Sequence, residues 1–203
     1  MKIIPKENLE NFSIPLPIYS SICIADAIAR DGEEFSVVVG LEKKYVEELR
    51  RLSLDESDID LQNNTGDRRR FGEGSYEDWY KKDRTIFALI HKQTGSLAAI
   101  IWFGPKSLGK KSIKFGKEEK DIQQDYWHTV VWRSYPGFRG KGLMKKLVLF
   151  VMDFYKKFFP NIGFWAGMDN KNSATVGLGS ALGFEVDQEN SDLSSNWLVV
   201  VKK

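Results

Sequence analysis

Two glycines and two cations stand together at Arg139-Gly140-Lys141-Gly142, and the residues after them, LMKKLVLFVMDFYKKF, carry an amphipathic helical pattern. A helix start leaves its first backbone N–H groups without intrahelical partners, at the positive end of the helix dipole, and so suits a phosphate. Gly140 and Gly142 would let the backbone approach a diphosphate, and Arg139 and Lys141 would add charge. The same four residues also read as a tight turn with a solvated basic rim, because a short glycine motif is weak when alone. Of the two histidines, His91 lies by a turn and is expected at the surface. His128 sits among Tyr126, Trp127 and Trp132, either as a group that exchanges protons near neutral pH or as a packed ring. Asp55, Glu56, Asp58 and Asp60 form an acidic cluster that could attract a cation, although such runs are more often solvated faces.

Around these residues the chain supplies alternating strand and helix patterns. SIPLPIYSS is Pro-punctuated and extended, and residues 1–32 are expected as an N-terminal extension. EFSVVVG is a β-branched strand, and LEKKYVEELRRLSL places Leu41, Tyr45, Val46, Leu49 and Leu52 on one helical face. Ser75 followed by Asp78 has the spacing of a helix N-cap. TIFALIHKQTGSLAAIIWFG reads as a β-hairpin turning at Lys92 to Ser96, and DYWHTVVWRSY as an aromatic strand leading to the glycine turn. After the amphipathic helix come a strand in NIGFWAGMDN, a short helix in KNSATVGLGSAL and a closing hairpin. The lysine-rich stretch from Lys106 to Lys120 is expected as a loop. A helix between two strands in an otherwise hairpin-rich chain implies a mixed α/β sheet with helices on its faces.

The bounds agree with one globular domain spanning 1–203: 203 residues, 42% hydrophobic and 29% charged. Thirty basic against twenty-eight acidic residues give a net charge of +2, too balanced to point to nucleic acid or an anionic membrane. Cys23 is the only cysteine, which excludes an intrachain disulfide or a Cys-based metal cluster and suits a reducing compartment. With no run of membrane-spanning length and no apolar signal segment at MKIIPKENLENF, the cytoplasm is the expected location.

In its second half the sequence resembles the GCN5-related N-acetyltransferase (GNAT) superfamily. The run Arg139-Gly140-Lys141-Gly142-Leu143-Met144 is similar to the family's pyrophosphate loop, in which Arg or Gln is followed by two variable residues, Gly, one variable residue and Gly or Ala. Met144 departs from the small final residue. Asn172-Ser173-Ala174 leading to Leu182-Gly183-Phe184-Glu185 is similar to the family's Asn-containing segment, helix and Gly-Phe strand start. The resemblance implies an α+β fold with a mostly antiparallel sheet flanked by helices. It also implies acetyl transfer from acetyl-coenzyme A to a primary amine, that of a small molecule being the first expectation.

Several residue roles follow only from that resemblance. The backbone of Val131, Trp132, Arg133 and Ser134 would pair with the pantetheine arm and supply an oxyanion donor. Arg139, Gly140, Lys141, Gly142, Leu143 and Met144 would hold the diphosphate, Asn172 would anchor the arm, and His128 would be the base. The position that many relatives fill with an acidic tyrosine falls on Gly179, leaving that task to water, to a hydroxyl such as Ser180 or Tyr135, or to no acid at all. The lysine-rich loop could meet an acidic partner or reach the adenosine 3′-phosphate. Trp79, Tyr80, Trp102, Trp127 and Trp132 are either core or the flat walls of an acceptor cleft. Other readings stay open: a protein N-terminal or lysine acetyltransferase, a non-catalytic acyl-coenzyme A sensing module, and a homodimeric assembly.

Overall fold

β-Branched and aromatic runs between turn residues build a nine-stranded sheet, as seen in a computed structural model that describes residues 1–7, 9, 11–111 and 126–203. The strands are β1 (Lys2–Pro5), β2 (Ser21–Ile28), β3 (Glu34–Gly40), β4 (Thr85–His91), β5 (Leu97–Pro105), β6 (Trp127–Ser134), β7 (Gly163–Asp169), β8 (Glu185–Val186) and β9 (Trp197–Lys202). Their spatial order is β1-β2-β3-β4-β5-β6-β7-β9-β8. Residues 1–32, expected as an extension, therefore supply the first two strands: β2 runs antiparallel along the whole of β3. The sequence hid this because Ser21–Ile28 follows two prolines and its pairing partner is tertiary rather than local.

The helices are α1 (Lys43–Leu54), α2 (Ile59–Asn64), α3 (Tyr76–Tyr80), α4 (Met144–Lys156) and α5 (Ser173–Ala181), with a π-helical turn at Arg68–Gly72. Ser75 caps α3 as its spacing predicts, its hydroxyl accepting from the Asp78 N–H at 3.0 Å. Every adjacent strand pair is antiparallel except β6 and β7. Those two are joined through α4, and a helical crossover is what a parallel pair requires. α4 buries Leu147, Val148, Val151, Met152 and Tyr155 on one stripe against the sheet, while α1 and α3 cover the other face with Leu49, Tyr76 and Trp79.

That mixed, mostly antiparallel sheet with helices on both faces is the expected class. No helix among the described residues is long and apolar enough to cross a membrane. The expected lysine-rich loop lies outside the described residues from position 112 to 120. Its first part, 106–111, folds back on the sheet: the Trp165 indole donates to the Lys106 carbonyl at 2.9 Å, and Lys111 pairs with Asp192 at 2.7 Å.

Candidate active site

The site begins where two strands part. β6 and β7 are joined only at Trp127–Gly163, His128–Phe164 and Thr129–Trp165, although both strands run on to Ser134 and Asp169. Between the diverging ends lies a cleft of about 510 Å³ that reaches both faces of the sheet. That volume falls within the range of small-molecule sites. On one face the cleft meets the Arg139–Met144 turn and α5; on the other it meets α2, Arg70 and a wall of tryptophans, Trp102, Trp165 and Trp197.

Hydrogen-bond alternation decides which backbone groups the cleft receives. The Tyr135 N–H donates to Ala98 and the Lys106 N–H to Trp127, both on the β5 side, whereas the Gly163 N–H donates to Tyr126 on the β7 side. Successive residues of a strand turn to opposite neighbours, so Val130, Trp132 and Ser134 direct their N–H and C=O toward the edge that β7 has left. Of the four residues expected to offer backbone, Trp132 and Ser134 face that open edge, as does Val130. Val131 and Arg133 face β5 instead. The carbonyls of Trp132 and Ser134 already accept from Arg133 Nη1 and Arg139 Nε, both at 2.8 Å.

At the far end, Gly140 and Gly142 have φ of 75° and 69°, a left-handed conformation that side chains with a Cβ adopt at a cost. Nothing lies within 4 Å of where a Cβ would stand at either, so the space beside the turn is open. α4 starts at Met144 with no side-chain cap, no acidic residue in its first turn, and Lys145 there instead. Lysine at a helix N-terminus opposes the dipole, and an anion beside it would relieve that opposition. The loop's own cations are spoken for: Lys141 pairs with Glu33 at 2.6 and 2.7 Å, and Arg139 with Asp58 at 2.7 and 2.6 Å. What remains for phosphate is backbone N–H and Lys145. Leu143 and Met144 line the cleft at the helix start.

Asn172 lines the cleft and caps α5, its Oδ1 accepting from the Thr175 N–H at 3.1 Å. The α5 residues along the cleft are Ala174, Thr175 and Leu178. Gly179 is buried and faces Met168 and Val200, so a side chain there would enter the sheet contact. Ser180 is exposed and Tyr135 fully buried, and neither lines the cleft.

His128 is placed elsewhere. Alternation along β6 turns it to the α4 face below the fork, where Nδ1 is 2.7 Å from the Tyr155 hydroxyl and the ring packs on Phe159. His91, expected at the surface, is 7% exposed, packed between Phe35 and Phe138 and bonded to Thr94 Oγ1. Neither histidine lines the cleft, and the pairing of β6 with β7 as far as Thr129 is what keeps His128 out.

The acidic cluster is consumed locally. Asp55 accepts from Ser57, Glu56 pairs with Arg68, and Asp58 grips Arg139 while capping α2 through the Leu61 N–H. Asp60 alone of the four lines the cleft. Burial opposes ionisation of Asp58, but Arg139 and the Leu61 N–H outweigh it and hold the carboxyl below the usual carboxylate range. Sequence reading missed Asp67, which is 1% exposed and accepts from Arg133 at 2.7 Å and Arg70 at 2.6 Å. Burial again opposes its ionisation, and the two guanidiniums override it, lowering the pKa. No local spacing signals an acceptor 66 residues from its donor. Trp102 and Trp132 line the cleft as one reading expected, whereas Trp79 and Tyr80 are core and Trp127 covers Gly163. Trp165 and Trp197 replace them, the latter made possible by Gly167, where a Cβ would lie 2.0 Å from the Trp197 ring.

No protein-family model matches the sequence, and no curated protein matches it. Solved structures do. The GNAT domain of S. lividans PAT is 15% identical with a TM-score of 0.62, the match covering 87% of this chain and 94% of that one. The ribosomal-protein-S5-alanine acetyltransferase from Vibrio fischeri is 13% identical, with a TM-score of 0.58 and coverage of 87% and 96%. The microcin C7 self immunity acetyltransferase MccE, solved in complex with acetyl-CoA and AMP, is 16% identical, with a TM-score of 0.54 and coverage of 82% and 91%. The chain has the GNAT fold.

Proposed function

We propose that the chain transfers an acetyl group from acetyl-coenzyme A to a primary amine of a small molecule. One observation carries this reading: the fork between β6 and β7 opens a passage through the sheet, with an uncapped helix start at one end and an aromatic wall at the other. The residues present fit the cosubstrate. The turn at Gly140 and Gly142 and the first N–H groups of α4 would hold a diphosphate, with Lys145 beside them. The exposed edge of Val130, Trp132 and Ser134 suits an extended arm laid along it as an added strand. When bound, acetyl-coenzyme A supplies the activated acyl group. An N–H of Val130 or Trp132 would meet the negative charge that develops on the acyl oxygen, and a preorganised donor of that kind is commonly the largest contribution such a site makes.

The acceptor enters from the face of Trp102, Trp165 and Trp197, whose rings would flank an amine. With both histidines outside the cleft, the amine loses its proton to water. The rate of transfer then follows the amine's own ionisation and rises with pH without an inflection near the imidazole value of about 6.5. The test is a panel of amines of varied shape with acetyl-coenzyme A, followed by release of free thiol. Thiol release dependent on one class of amine is the expected result. Tight binding of acetyl-coenzyme A with no release across the panel would make the chain a sensing module instead.

A further inference from the structure

The segment 58–70 forms the acceptor-side wall of the cleft, contributing Asp60, Leu61, Asn64 and Arg70. It is fastened at two points, each built on an Asp–Arg pair with two contacts, and Asp60 adds a longer ion pair at 3.7 Å to the Arg139 of one of them. Near its end Asp67 takes Arg133 of β6, with Nε at 2.7 Å and Nη2 at 3.3 Å. At its start Asp58 takes Arg139 of the glycine turn, with Nη1 at 2.7 Å and Nη2 at 2.6 Å. Planar, forked pairs of this kind fix direction as well as distance.

The two pins differ in a way that matters. Arg133 belongs to a central strand and Asp67 is 1% exposed, so that pin moves only if the sheet moves. Arg139 belongs to the turn that would close on a diphosphate, and its side chain is 30% exposed against 3% for Asp58. Asp58 also caps α2, accepting from the Leu61 N–H at 3.1 Å, so a shift of Arg139 is passed directly to the helix whose residues line the cleft. Arg139 has a third bond, from Nε to the Ser134 carbonyl at 2.8 Å, which ties the same guanidinium to the open edge of β6.

We propose that Asp58 is a positioning residue: through Arg139 it couples the glycine turn to the acceptor wall, so that filling the turn stiffens segment 58–70. The proposal rests on acetyl-coenzyme A occupying the turn, as the proposed function has it. It assigns to Arg139 the task of a strut rather than that of a phosphate ligand, and it gives the acidic residue at 58 a partner within the chain rather than in the substrate.

Asparagine caps a helix about as well as aspartate, so Asp58→Asn keeps α2 while weakening the grip on Arg139. Amide hydrogen exchange of the full chain is measured with and without acetyl-coenzyme A, and calorimetry gives the affinity. In the parent, acetyl-coenzyme A should slow exchange across 58–70 by about tenfold, towards the lower end of the usual range for coupling between sites. In Asp58→Asn the affinity should stay within about threefold and most of that slowing should vanish; Arg139→Gln should abolish the slowing as well, and the double variant should lose no more than either alone. Full slowing retained in a folded Asp58→Asn would mean that the ligand protects the wall by direct contact, which overturns the proposal. A loss of affinity beyond about tenfold in that variant, on the order of 1.4 kcal/mol, would place the pair in phosphate binding and overturn it too. Absence of any acetyl-coenzyme A binding by the parent would remove the proposed function itself, and this inference with it.

Discussion

The two ends of the cleft are built from different materials. The glycine turn and the open edge of β6 offer backbone: left-handed glycines, an uncapped helix start, and the N–H groups of Val130, Trp132 and Ser134. The acceptor wall is built from side chains, held by Asp58–Arg139 and Asp67–Arg133 and faced with Trp102, Trp165 and Trp197. A backbone site tolerates much variation in side chains provided that the glycines and the strand fork persist. A wall of ion pairs and rings is specific to its residues, so under the proposed function this end of the cleft would set the choice of acceptor.

The wall is the place to break this contrast most severely. Asp67→Asn removes the buried carboxylate on which Arg133 and Arg70 converge, and breaking a buried pair costs about 3–5 kcal/mol. A urea titration should show the midpoint falling with the slope unchanged. Because the folded pKa of Asp67 is lowered, its contribution to stability is present above the unfolded value of about 3.9 and is lost as pH falls from there through the folded value. The variant's stability should therefore fall less steeply with acid than the parent's. A cost below about 1 kcal/mol would make the pair no stronger than one at the surface, and the wall would need another support.

A smaller effect is expected at His128, where the contrast could fail in the opposite direction if the backbone-built end needs a particular side chain after all. His128→Phe removes the partner of the Tyr155 hydroxyl, which is buried, and should cost about 1–3 kcal/mol in stability. The pH profile of transfer should keep its shape and midpoint. A folded variant that loses on the order of 10²-fold near neutral pH and recovers at alkaline pH would return His128 to the role of base.

How much of this was legible follows the same division. The hairpin β4–β5, the amphipathic α4 and the cap at Ser75 are written in local periodicity and spacing, and they stand where the sequence predicts them. The glycine turn is legible because φ of 75° and 69° at Gly140 and Gly142 demands that residue type. The placing of His128 was not legible, because strand periodicity gives its face only relative to its neighbours, and the point at which β7 leaves β6 is set by tertiary packing. Asp58 and Asp67 read as parts of a polar stretch, since their partners lie 81 and 66 residues away. The strand at Ser21–Ile28 was likewise hidden, as its identity depends on β3 beside it.

The most direct test of the central claim is calorimetric titration of acetyl-coenzyme A into the parent, Gly142→Ala and Gly142→Glu. The alanine variant carries the left-handed strain of about 1–2 kcal/mol without filling the open space beside the turn, so it separates strain in the fold from obstruction of the ligand. The account predicts that the parent and Gly142→Ala bind within about tenfold of each other, while a carboxylate facing the diphosphate weakens binding on the order of 10²-fold or more. Binding by a folded Gly142→Glu as tight as that of the parent would contradict it.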